Sequence, residues 1–179
     1  MQPGFSLEVA AMADFYGTAT GFKTYESDRG RPADAGVTDA EIDAALLVAS
    51  EWLDGVYRSS FAGLKVGGRD QIREWPRTGV VDMYGYAVSS DGVPREVENA
   101  TYEATFRQIA NPGSLIIDYT PGKYKKAAVS GAVSVEYASF GYASDAQPQY
   151  LVIDQILAPL LLAVGAGDYS GLSGKLVRA

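Results

Sequence analysis

The chain contains no cysteine and no histidine. Without cysteine there is no disulfide framework and no thiol nucleophile. Without histidine the commonest general base, proton shuttle and nitrogen metal ligand is gone too. Acid–base chemistry is left to carboxylates, serine, lysine and tyrosine, and a metal could be held only by oxygen. No loop of spaced Asp and Asn ending in Glu is present to hold one. Also missing are a Walker phosphate loop, a dinucleotide fingerprint and a Gly-x-Ser-x-Gly elbow. Gly63–Arg69 is rich in glycine but lacks the Lys-Ser/Thr ending that a phosphate cradle needs. There is no internal repeat and no heptad pattern.

Long apolar runs are absent as well. The most apolar stretch, Tyr150–Ala166, is broken by Asp154, Gln155 and Pro159, and it is short of the roughly 20 residues a membrane helix requires. Met1-Gln2-Pro3-Gly4 has no basic start for a signal peptide. A soluble protein made in the cytoplasm, with no membrane partner, is expected. Positive charge is scarce: the net charge is −7, and residues 1–57 carry ten acidic against three basic residues, while residues 58–179 hold twelve of each. A non-specific nucleic-acid binder needs a positive footprint to release counterions, so that class is disfavoured. An acidic surface would instead let DNA pass without adhering.

What is present is enough for one domain with a real core. Residues 1–36 mix glycine, alanine, aromatics and charge, and read as an N-terminal arm or short element followed by a loop. Tyr16, Phe22 and Tyr25 are available to the core or to a neighbour. Thr38-Asp39-Ala40-Glu41 matches a capping box. Ile42, Ala45, Leu46, Ala49, Leu53 and Val56 then follow at helical spacing, with Trp52 beside them, predicting a helix over 39–58. Asp43, Glu51 and Asp54 are assigned to its solvated face.

A basic, glycine-broken connection follows, centred on Arg73-Glu74-Trp75-Pro76-Arg77. The indole can anchor a small core, and Gln71–Trp75 is a candidate helical turn. Val80–Val88 alternates weakly, as a short strand or an ordered loop. Pro94 suits the first position of a second helix, with Val97, Ala100, Thr101, Ala104 and Ile109 on one face and Asn111-Pro112-Gly113 as its stop. Lys123-Tyr124-Lys125-Lys126 precedes Val129–Tyr137, whose alternation suits an exposed strand or extended arm. Interleaved Lys and Tyr can serve nucleic acid, though a charged edge more often only discourages misassociation. The last pattern, Pro148–Leu162, is a broad apolar helix that Pro159 kinks or ends. Gly165–Ala179 is too rich in Gly and Ser to fold alone. It is a frayed terminus or a docking peptide bearing Lys175, Leu176 and Arg178.

The expected fold is therefore mainly α: a small helical bundle with an extended β-strand or hairpin arm and a flexible C-terminal tail. It divides into an N-terminal arm (1–36), a helical core with the Trp-Pro-Arg loop (37–113), a β/extended arm (114–147), and a C-terminal helix with docking tail (148–179).

These pieces, taken in order, resemble a family from tailed bacteriophages and related prophages. The resemblance rests on several stretches: Phe15-Tyr16-Gly17-Thr18-Ala19 with Tyr25; the capped helix carrying Ala49-Ser50-Glu51-Trp52-Leu53-Asp54; and Gly68-Arg69 followed by Glu74-Trp75-Pro76-Arg77-Thr78-Gly79. It continues in Asp91-Gly92-Val93-Pro94 opening a helix, and in Val133-Ser134-Val135-Glu136-Tyr137. It covers roughly residues 13–140. Members are often labelled DnaT-like single-stranded-DNA-binding proteins, and by architecture and role the group resembles head–tail adaptor (head-completion, connector) proteins.

The resemblance implies a structural virion protein of the phage neck, made in the host bacterial cytoplasm. It would act as a homo-oligomeric, dodecameric ring that joins the portal protein to the tail or to a stopper or terminator protein. Packaged double-stranded DNA would pass through the lumen. No catalytic step, cofactor or metal is expected. The expected contact residues are Trp75, Pro76 and Arg77 in the inter-helix loop, Tyr124, Lys125 and Lys126 on the arm, and Lys175, Leu176 and Arg178 in the tail. Arg73 and Arg77 are assigned to carboxylates rather than phosphate. The alternative is a single-stranded-DNA-binding protein of phage replication, using the Arg58–Arg77 run and the Lys123–Lys126 cluster. A third class, an enzyme using Glu96, Glu98 or Asp82, has only solvated carboxylates to recommend it.

Overall fold

A computed structural model describes residues 15–31, 36–116, 126–129, 133–136 and 150–161. It is mainly α, in agreement with the expected class: α1 (Ala19–Asp28), α2 (Asp39–Tyr57), α3 (Arg95–Ala110) and α4 (Leu151–Leu157). Two short antiparallel pairs accompany them. β1 (Leu64–Lys65) pairs with β2 (Arg77–Thr78), and β3 (Lys126–Val129) pairs with β4 (Val133–Glu136).

The capping box at α2 is formed in full. Thr38 Oγ1 accepts from the Glu41 amide, and Glu41 returns a carboxylate to the Thr38 amide at 2.8 Å. That leaves the apolar stripe free to pack. Ile42, Leu46, Ala49 and Leu53 have no exposure at all, and each large aliphatic there contributes roughly 1.5–3 kcal/mol of burial. Val56, placed on the same stripe by its spacing, is 40 % exposed at the frayed end of the face. Pro94 is the N-cap of α3 rather than its first helical residue, and its carbonyl accepts from Val97 and Glu98.

α2 and α3 run antiparallel. Leu53 and Tyr57 near the end of α2 cluster with Val97 and Ala100 near the start of α3. At the other end Ile42 and Leu46 cluster with Tyr102, with Phe106 and Ile109 packed alongside. Ala49, Ala100 and Ala104, all fully buried, let the helix axes approach closely. α4 closes the first cluster with Ile153 and Leu157. After Leu157 the chain tightens into a 3-10 turn over Ala158–Leu160, so Pro159 ends the helix rather than kinking it.

Two open readings are decided. Of the arm or short element offered for residues 1–36, the described part is a short element packed into the core. Tyr16 and Phe22 are 1 % exposed and Glu26 is fully buried, because α1 and the Tyr16 just before it supply the aromatic face that covers the α2–α3 seam. The β arm takes its hairpin form, with Val129 ending one strand and Val133 opening the next. Val129 and Val133 face each other as the last pair of a hairpin, which sets Lys126 opposite Glu136.

Candidate functional site

The Trp75 loop is held by a buried polar network that begins on α2. Asp54 is only 4 % exposed, contrary to its assignment to a solvated face. The Tyr16 hydroxyl donates to Asp54 Oδ1 at 2.6 Å, Arg73 Nη1 donates to Asp54 Oδ2 at 3.2 Å, and the Glu74 amide donates to the same oxygen at 3.4 Å. The Tyr16 hydroxyl also accepts from the Trp75 amide at 3.1 Å, and the Tyr16 amide donates to Ser50 Oγ at 2.9 Å. Arg73 reaches out to Glu51 at 3.4 Å. Burial pushes the Asp54 carboxyl up, against the pull of Tyr16 and Arg73. Burial, and then the neighbouring Asp54, pushes the Tyr16 phenol up, so Tyr16 stays a donor.

Trp75 itself is 1 % exposed, lies edge-on to Phe61 at 5.5 Å and is joined to Pro76 by a cis peptide bond. Its indole N–H has no acceptor among the described residues. Arg77 ties the two halves of the loop together. Nε donates to the Ala62 carbonyl and Nη2 to the Gly63 carbonyl, both at 2.7 Å, while Nη1 pairs with Glu74 at 2.9 Å. The planar fork of arginine is what makes three such bonds possible.

A second buried cluster joins α1 to α3. Arg31 Nη2 lies 2.6 Å from Glu103 Oε1, and its Nε lies 3.1 Å from Glu26 Oε2 in ion contact. Arg107 meets Glu103 Oε2 at 2.8 Å, and Tyr25 donates to Glu103 Oε1 at 3.2 Å. Burial raises the Glu26 carboxyl. Burial also acts on Glu103, but hydrogen bonds from Arg31 and Arg107 outweigh it and hold that carboxyl below its ordinary range.

Two surface features stand apart from this polar interior. One is the turn between Val80 and Val88, closed by the Val88 amide on the Val80 carbonyl and by an antiparallel bridge between Val81 and Ala87. At its tip Met83 is 63 % exposed, and Tyr84 and Tyr86 are each 72 % exposed. The other is a groove of about 410 Å³ between the start of α2 and the end of α3.

The sequence-designated residues therefore fall into three groups. Trp75 and Arg77 are buried against their own chain, and Pro76 is half-buried between them. They fix the inter-helix loop. Lys126 lies in β3. Its side chain, with Tyr124, Lys125, Lys175, Leu176 and Arg178, lies outside the described residues. Asp82 Oδ1 is engaged by the Tyr84 and Tyr86 amides at 2.9 and 2.8 Å, and Glu98, raised by burial, does not line the groove. Sequence reasoning missed Asp54 and Tyr16 as partners. Their 38-residue separation left no local signal beyond an acid on the rim of an apolar stripe.

Fold and site together define a small, mainly helical domain whose buried charges brace its own loops. Residues 7–179 match the family described as "Putative DnaT-like ssDNA binding protein", and the chain belongs to that family. No curated protein and no solved structure matches it.

Proposed function

We propose that this chain is a structural assembly protein: a head-to-tail adaptor that joins the portal ring of a tailed phage to the tail or the next connector ring and lines the DNA channel. The observation that carries this reading is the disposition of its cations. Arg31, Arg73, Arg77 and Arg107 are bound to buried or half-buried carboxylates of the same chain. Lys65 is held by Glu74 and the Gln71 carbonyl, and Lys23 pairs with Asp39. Among the described residues Arg58, Arg69 and Arg95 make no ion pair. Arg58 is turned onto the Asp54 carbonyl of its own helix, and the two that remain are not a phosphate track. Meanwhile Asp39, Glu41 and Glu51 remain on the surface, as suits a wall past which DNA must slide.

One observation favours a second reading, a single-stranded-DNA binder. Tyr84 and Tyr86 are exposed side by side on an ordered turn, where bases could stack, and the family's description points the same way. Co-sedimentation separates the two. The purified chain is mixed with the portal ring of its own virus, and in parallel with a labelled oligonucleotide at about 0.15 M salt. The adaptor reading expects portal binding and almost no retained oligonucleotide. Salt-sensitive oligonucleotide binding without portal binding would overturn it.

A further inference from the structure

We propose that copies of this chain associate head to tail, the Met83–Tyr84–Gly85–Tyr86 tip of one copy seating in the groove between α2 and α3 of the next. The proposal deepens the assembly reading and rests on it in taking protein contact as the use of the exposed apolar surface.

The tip is built to be presented. The Asp82 carboxylate caps the Tyr84 and Tyr86 amides, the Asp82 amide donates to the Tyr86 carbonyl at 2.9 Å, and Gly85 takes the φ of +90° that the turn requires. The Met83 amide donates to the Pro159 carbonyl at 3.0 Å, which anchors the turn to the end of the C-terminal helix. Its backbone needs are thus met internally while Met83, Tyr84 and Tyr86 remain in water. Tyrosines held this way offer a large apolar area with only two torsions to freeze.

The groove is the matching socket. Val37, Ala44, Val48 and Ile109 give it an apolar lining, and its volume of about 410 Å³ admits aromatic side chains. Glu41 and Gln108 also line it. Glu41 Oε2 serves the Thr38 cap and Gln108 Oε1 the Gly113 amide, which leaves Glu41 Oε1 as the acceptor for a buried tyrosine hydroxyl.

Position decides the geometry. The groove lies where α2 begins and α3 ends. The tip springs from Val80, which clusters with Tyr57 and Phe61 at the other end of α2. From Ala44 in the groove to Tyr57 at the end of α2 is roughly 20 Å of helix. Knob and socket at opposite ends leave a free tip and a free groove after every contact, the arrangement that propagates and closes into a ring when the rotation allows.

The absence of cysteine makes disulfide trapping clean. In the full-length chain, Met83→Cys with Ala44→Cys under mild oxidation is expected to give a ladder of dimers, trimers and higher species. A mixture of the two single variants should give one heterodimer band. Ser59→Cys with Ala44→Cys, which places a thiol on an exposed residue off the tip, sets the background. Adding Tyr84→Ser and Tyr86→Ser should slow the ladder roughly tenfold, as loss of two aromatic anchors does. Trapping at the background rate, trapping that stops at a dimer, or a rate indifferent to the tyrosines would each overturn the proposal. Portal binding by a chain that shows no ladder removes this contact and leaves the adaptor standing. A normal ladder without portal binding removes the adaptor and leaves this contact.

Discussion

Tyr16→Phe deletes a single oxygen, yet that oxygen serves two buried partners. It donates to Asp54 at 2.6 Å and accepts from the Trp75 amide at 3.1 Å, in a site where Tyr16 and Trp75 are each 1 % exposed. Water cannot take its place without displacing packed aromatics. Leaving the Trp75 N–H unpaired costs roughly 1–3 kcal/mol, and the lost charge-assisted bond to Asp54 is of similar size. Asp54 keeps Arg73 and the Glu74 amide, so the two losses overlap, and a total of about 2–4 kcal/mol is expected. Against a typical domain stability of about 5–15 kcal/mol this is large. With a urea slope of about 1–3 kcal/mol/M, the midpoint should fall by about 1–2 M with the slope unchanged. Asp54→Asn keeps the volume and removes the charge, so its combination with Tyr16→Phe should show a coupling of about 1–2 kcal/mol. A Tyr16→Phe midpoint equivalent to less than about 0.5 kcal/mol, the size of a surface substitution, would refute the network as a source of stability.

Arg77→Lys keeps the charge but replaces a fork that reaches two carbonyls and Glu74. A cost of about 2–3 kcal/mol is expected, with faster amide exchange at Gly63–Lys65 if the loop loses its tie. The two glutamates of the α1–α3 cluster should respond to pH with opposite signs. Glu26 is raised above its ordinary 4.5, so its ionisation opposes folding as pH climbs, and the deficit of Glu26→Gln against wild type should narrow from pH 4 to 7. Glu103 is lowered, so its contribution is present above 4.5 and is lost as pH falls, and the deficit of Glu103→Gln should widen over the same interval. Parallel pH profiles in urea titrations would contradict both assignments. At Gly21 an added Cβ would overlap the Tyr102 hydroxyl. Gly21→Ala should destabilise the chain by about 1–3 kcal/mol, and Tyr102→Phe, by removing that oxygen, should make the double variant less destabilised than the sum of the singles. Thermal melts of the three variants test it.

Much of the fold follows from local order along the chain. Thr38 and Glu41 cap α2 within one turn of backbone, and the spacing of Ile42 through Leu53 selects a helix, because both signals act over three or four residues. The same holds for the stop at Asn111-Pro112-Gly113 and the limit that Pro159 sets on α4. The absence of histidine and cysteine and the acidic first third also needed no coordinates to bound the chemistry. Other features depended on which elements meet. Asp54 looks like any helix-surface acid until Tyr16 and Arg73, 38 and 19 residues away, close over it. Glu26 and Glu103 are ordinary helix acids until Arg31 draws them together. Residues 1–36 read as an arm or a short element because their glycines weaken a helix in isolation, whereas over residues 15–31 burial of Tyr16, Phe22 and Tyr25 against α2 and α3 outweighs that local cost. The tip and the groove at opposite ends of one helix pair are likewise properties of the assembled molecule. Local backbone preference is written along the chain, but burial and ion pairing depend on distances that only packing creates.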